Sequence, residues 1–113
     1  LAQPDPKPPR VVRNRELLRL LHGRWRECAL CHTTANLSLH HIHKHPRDDV
    51  KGNLVMLCGD GVQGCHGLIE SNDAPTVRRL MQYIMDSRPD TMAYLMVRFG
   101  PVSATDWIRR QMS

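Results

Sequence analysis

Four cysteines constrain this chain more than any other feature: Cys28 and Cys31 bracket Ala29-Leu30, while Cys58 and Cys65 bracket the glycine-rich link Gly59-Asp60-Gly61-Val62-Gln63-Gly64. A Cys-x-x-Cys turn lets two thiolates reach one zinc ion, and a second close pair completes a tetrahedral four-thiolate set with no open position for chemistry. Such a staple matters in a chain of 113 residues, where only Phe99, two Trp and two Tyr supply large aromatic filling. Two disulfides would use the same residues. No apolar signal segment precedes the cysteines, however, and Cys-x-x-Cys with a later Cys/His group in a cytoplasmic chain points to zinc. The expectation is one small cytoplasmic domain, with no membrane span and with a structural Zn²⁺ on Cys28, Cys31, Cys58 and Cys65.

The pattern around the cysteines predicts short elements. Residues 1–12 form a Pro-rich flexible arm, with four prolines among the first ten residues. Asn14 can cap a helix to about His22, with Leu17, Leu18, Leu20 and Leu21 as its apolar face and Gly23 as its stop. Residues 37–42 read as a brief strand, 43–52 as a polar loop, 53–57 as the antiparallel partner strand, and a helix opens near Cys65 and runs to about Ser71. The final third, 73–113, reads as helices. Asp73 and Pro75 start one, Ser87 with Asp90 resembles a capping box for the next, Gly100-Pro101 ends that one, and Ser103 with Asp106 repeats the device. Its methionine stripe is packing for a core or a partner face. A homodimer or a packaging-type partner would use these helices.

A second set of donors lies inside this unit. His40, His41 and His66 are nitrogen ligands that can leave positions open for water and phosphate. Adjacent residues on a strand point to opposite faces, so His40 and His41 should take different roles. His43 and His45 share the parity of His41 and read as solvated or phosphate-assisting; His32 reads as solvated or capping. The net charge of +5 rests on thirteen Arg against three Lys, a bias suited to bidentate phosphate contacts. Arg13, Arg15, Arg24, Arg26, Lys44, Arg47 and Lys51 are candidate DNA contacts. Arg78-Arg79 and Arg109-Arg110 read equally well as solvated faces.

Taken in order, Cys28-x-x-Cys31, His40-His41-Ile42, Asn53-Leu-Val-x-Leu-Cys58 and Cys65-His66 resemble the HNH endonuclease family in its zinc-stapled form, over about residues 25–70. The segment 57–67 is similar to phage-encoded members, for which the compartment would be the host cytoplasm. The resemblance implies an α+β fold: a ββα-metal core within residues 13–72, a structural zinc, and flanking N- and C-terminal helices. It implies a DNA phosphodiester hydrolase with one divalent cation, Mg²⁺ or Mn²⁺ ahead of Zn²⁺ or Ni²⁺. His40 and His66 would hold the ion, His41 would be the general base on water, and Asn53 would orient the loop and the base. The family's loop glycine pair is missing here, and the loop is shorter than in many members. Where some members carry a third histidine, one helical turn after His66, this chain has Glu70. That residue is either an ordinary solvated helix carboxylate or an oxygen ligand at i, i+4. The alternative function is a non-catalytic zinc-ribbon module that binds nucleic acid, and a third is a structural, packaging-associated protein.

Overall fold

Two short apolar runs pair to make the sheet. A computed structural model describes residues 10–113, so residues 1–9 of the arm lie outside the described part. Strands β1 (Leu37–His41) and β2 (Leu54–Cys58) are antiparallel, with Leu37 opposite Cys58, Leu39 opposite Met56 and His41 opposite Leu54. Leu54, Val55, Met56 and Leu57 are all buried, so β2 is covered on both faces, which explains its unbroken apolar run. Asn53 is not in the strand, as the sequence suggested, but ends a 3₁₀ turn, Lys51–Asn53.

Helix α1 (Arg15–Arg24) precedes the sheet, and α2 (Gly64–Glu70), α3 (Ala74–Ser87), α4 (Pro89–Phe99) and α5 (Pro101–Met112) follow it. The result is mixed α+β, with a two-stranded sheet and five α-helices among the described residues. None of the helices is long and apolar enough to cross a membrane. Asn14 caps α1 as expected, its side chain accepting from the Leu17 N–H at 3.0 Å. The helix nonetheless runs through Gly23 to Arg24, and only Leu21 is buried, while Leu20 is 49% exposed. Its apolar stripe is therefore narrower than the four leucines suggested.

Asp73 caps α3, accepting from the N–H and hydroxyl of Thr76. The two later capping boxes do not form. Ser87 is the last residue of α3, and Asp90 instead takes both arms of Arg88, at 2.9 and 3.0 Å. Ser103 lies inside α5, which starts from Gly100, and Asp106 faces Arg109 at 3.8 Å. A proline heads each helix, and its fixed φ sets the first turn without a side-chain cap. Gly100, at φ +85°, makes the turn between them.

The helical third shares the core of the four-cysteine unit. Leu80, Met81 and Ile84 of α3 pack in one cluster with Cys28, Leu30, Ile42, Val55, Leu57 and Ile69. On the other flank, α4 lies on the 3₁₀ turn so closely that a Cβ on Gly52 would sit 2.8 Å from the Asp90 carbonyl oxygen. Each aliphatic side chain of this cluster contributes about 1.5–3 kcal/mol by leaving water.

Candidate metal centres

The sulfurs of Cys28, Cys31, Cys58 and Cys65 lie within 4.8 Å of one another. The Cys31 and Cys58 sulfurs are 3.5 Å apart, close to the separation of about 3.8 Å that a tetrahedral zinc with bonds of about 2.3 Å imposes. The local backbone explains the convergence. The Cys31 N–H donates to the Cys28 sulfur at 3.5 Å, and the Cys65 N–H donates to the Cys58 sulfur at 3.3 Å. Between the second pair the chain turns sharply back, with Gly59 at φ +85° and Gly64 at φ +67°; a Cβ on Gly59 would fall 2.0 Å from the Gln63 carbonyl oxygen. Burial opposes ionisation of Cys28, but backbone N–H groups bring its thiol down to about 7. Burial and the neighbouring sulfurs push the Cys65 thiol up. Four thiols this close cannot all ionise without a cation among them, and thiolates at this spacing fit a structural zinc site.

One residue further along the chain a different donor set begins. His40, on β1, and His66 and Glu70, one turn apart on α2, bring one nitrogen or oxygen each within 4.8 Å of one another. His40 Nδ1 is 3.2 Å from Glu70 Oε1, and His66 Nε2 is 3.4 Å from the same oxygen. Despite that proximity, His40 Nδ1 makes no aligned hydrogen bond and is a buried nitrogen without a partner. Two imidazole nitrogens and a carboxylate oxygen clustered this closely, one nitrogen buried without a partner, fit a divalent ion. Burial, with His66 alongside, lowers the His40 pKa to about 4, and burial lowers that of His66. Both rings are thus neutral and able to donate a lone pair at pH 7. Burial works against the Glu70 carboxylate, but the paired Lys44 ammonium holds it below the usual range. Of the two readings of Glu70 open in the sequence, the structure places its carboxylate among the histidines.

Ser38 determines how His66 presents itself. Its hydroxyl donates to the Gly59 carbonyl at 2.7 Å, so it can only accept from His66 Nδ1, 2.6 Å away. The His66 proton is thereby held on Nδ1 and the Nε2 lone pair faces Glu70.

His41 follows strand parity and does not join the cluster. Its Nε2 lies 2.7 Å from Asp49 Oδ1. Asn53, fully buried, accepts from the His43 N–H at 2.8 Å and donates to the carbonyls of His43 and Asp48 at 3.0 Å each. One amide thus fixes the path of the loop between the strands. Residue 12, the end of the expected flexible arm, is also fixed: the Val12 N–H donates to Asp48 Oδ1 at 2.9 Å, and its carbonyl accepts from the Asp49 N–H at 2.7 Å.

A cleft of about 330 Å³ opens beside the cluster, lined by His40, Lys44, Glu70, Trp107 and Gln111 among others. His43 is not solvated as expected: it stacks on Phe99 with ring centres 4.2 Å apart and lies 4.9 Å from the Trp107 ring. His45 is exposed, and His32 faces Glu27 at 3.2 Å. Among the candidate phosphate contacts, Arg13, Arg15, Arg24, Arg26, Arg47 and Lys51 are exposed. Lys44 is instead committed to Glu70. Arg24 and Arg26 border clefts around Trp25 that share no residue with the cleft beside His40.

Sequence reasoning missed Ser38, Asp49 and the Asp48 anchor. The Asp48-Asp49 pair in a loop was a visible signal, although nothing local tied it to His41. No family model, curated protein or solved structure matches the chain.

Proposed function

We propose that this protein is a metal-dependent DNA endonuclease of the HNH type, with a structural zinc on its four cysteines. One observation carries the reading: β1 presents a buried His40 to the His66–Glu70 pair and, from the next residue, an imidazole held by a carboxylate. A set of metal donors with a separate proton acceptor on the next residue suits metal-assisted hydrolysis of a phosphodiester.

In this mechanism His40, His66 and Glu70 hold one divalent cation. When bound, the cation supplies charge neutralisation at the scissile phosphate and at the departing 3′ oxygen. His41 Nδ1 takes a proton from water as the water oxygen bonds to phosphorus. The bond to the 3′ oxygen breaks, that oxygen gains a proton from solvent, and the products carry 5′-phosphate and 3′-hydroxyl ends. Asn53 keeps the loop, and with it the base, in register. The exposed arginines of α1 and its flanks, with Arg47 and Lys51, supply backbone contacts that give affinity without sequence preference. Two imidazoles and one carboxylate favour Mn²⁺, Ni²⁺ or Zn²⁺ over Mg²⁺ in affinity.

The test is conversion of supercoiled plasmid to open-circular or linear DNA across a metal series. Cleavage is expected at lower concentrations of Mn²⁺ or Ni²⁺ than of Mg²⁺. His41→Ala should lose at least about 100-fold in rate, and His66→Ala should require far more metal. Cleavage by His41→Ala at the wild-type rate overturns the assignment of the base. DNA binding indifferent to divalent metal, with no cleavage, supports the zinc-ribbon alternative.

A further inference from the structure

We infer that Asp49 is the positioning residue of His41, fixing both the orientation of the ring and the nitrogen that carries its proton. The inference rests on the proposed role of His41 as proton acceptor. Its geometric half can be tested without that role. Asp49 is 9% exposed, and both its carboxylate oxygens and its backbone N–H are engaged. Oδ1 meets His41 Nε2 at 2.7 Å, Oδ2 accepts from the Asn14 N–H at 2.9 Å, and its own N–H donates to the Val12 carbonyl at 2.7 Å. A carboxylate ion only accepts hydrogen bonds, so Nε2 must be the protonated nitrogen. Burial opposes ionisation of Asp49, but the contacts with His41 and the Asn14 N–H keep its carboxyl below the usual range. Among the described residues no hydrogen-bond partner meets His41 Nδ1. That leaves Nδ1 as the nitrogen that would receive a proton from water.

The support for Asp49 comes from the start of α1. Asn14 caps that helix with its side chain while its backbone N–H holds Asp49 Oδ2. A residue 35 positions away along the chain therefore sets the carboxylate plane, and through it the imidazole.

This arrangement makes Asp49→Asn a sharp test. The Asn14 N–H requires an acceptor, so the new amide must turn its oxygen toward Asn14 and its NH₂ toward His41. Nε2 must then accept, and the ring proton moves to Nδ1, the nitrogen that should receive a proton from water. The side chain keeps its shape. The expected kcat for plasmid cleavage falls by about 10- to 100-fold, with KM for DNA within about twofold of wild type. Asp49→Glu, which keeps the charge at a longer reach, should recover part of the loss.

The decisive readout is spectroscopic. Two-dimensional ¹⁵N NMR of imidazole-labelled protein, recorded without added metal and with diamagnetic Mg²⁺, should show the Nε2–H form for His41 in wild type and the Nδ1–H form in Asp49→Asn. An Nδ1–H form in wild type overturns the proposal even if the variant does not fold. So does wild-type kcat in an Asn variant whose spectrum has switched. Absence of cleavage by wild type with every metal removes the nuclease reading and the functional half with it, while the spectrum still decides the geometric half.

Discussion

At the scale of single residues, the neighbours of the ligands matter as much as the ligands. Ser38 has one hydroxyl proton and gives it to Gly59, which leaves it nothing to offer His66 but a lone pair. Removing that hydroxyl frees the His66 ring to rotate and to change tautomer. Ser38→Ala should weaken binding of the cation proposed at His40, His66 and Glu70 by about 10- to 100-fold, read by calorimetric titration with Mn²⁺, while the zinc proposed at the cysteines stays bound through gel filtration. Wild-type Mn²⁺ affinity in the variant would show that Ser38 has no hold on His66. The residue scale also shows where sequence reasoning reached its limit. The proximity of Glu70 to His66 was open to the sequence as one of two readings, because i, i+4 spacing on a helix is local geometry. Strand parity separated His40 from His41 for the same reason. The partner of His41 was not legible, since it depends on how the loop folds back, and that path is set by Asn53 and by backbone bonds to Val12 and Asn14.

Among the elements, α4 has a job the sequence did not suggest. It reaches across to Asp48, whose carboxylate is 1% exposed and takes a hydrogen bond from Arg98 Nε at 2.8 Å and another from the Tyr94 hydroxyl at 2.5 Å. Burial opposes ionisation of Asp48, but Tyr94, the Val12 N–H and Arg98 together hold its carboxyl below the usual range. A carboxylate with a depressed folded-state pKa contributes stability that is fully present above the unfolded value, near 3.9, and is lost as pH falls through the folded value. Stability should therefore fall as pH drops below about 5, and Asp48→Asn should flatten that dependence in urea titrations followed by circular dichroism. In the same titrations Arg98→Ala at pH 7 should cost about 2–3 kcal/mol, because it leaves a buried carboxylate short of its charged donor. An unchanged midpoint would mean that the clamp holds nothing. The helix starts illustrate the complementary lesson. Asp73 could be read correctly because it stands just before Ala74-Pro75 at a helix start, whereas Ser87 and Ser103 matched a pattern that Pro89 and Pro101 had made unnecessary.

Across the whole molecule, the apolar pattern was enough to foresee a sheet between two cysteine pairs with helices around it. That the last helices close the same core was not foreseeable, because amphipathic spacing says which side is apolar and not what covers it. Leu80, Met81 and Ile84 could have faced a second copy as well as Val55 and Leu57. Two donor clusters then sit within this single core, and the chain passes from one to the other in a single peptide bond, since Cys65 belongs to the sulfur set and His66 to the other. Ser38 adds a second link, from the His66 ring to the carbonyl next to Cys58. Any coupling between sites joined this way is reciprocal. Loading Mn²⁺ at His40, His66 and Glu70 should tighten zinc at the cysteines by on the order of tenfold, measured by equilibrium competition with a chelator, and His66→Ala should abolish the effect. Equal zinc affinity with and without Mn²⁺ in the wild type would show that the two sites fill independently. If they are linked, stripping zinc from the cysteines would weaken the proposed cation's hold on His40, His66 and Glu70 by the same factor.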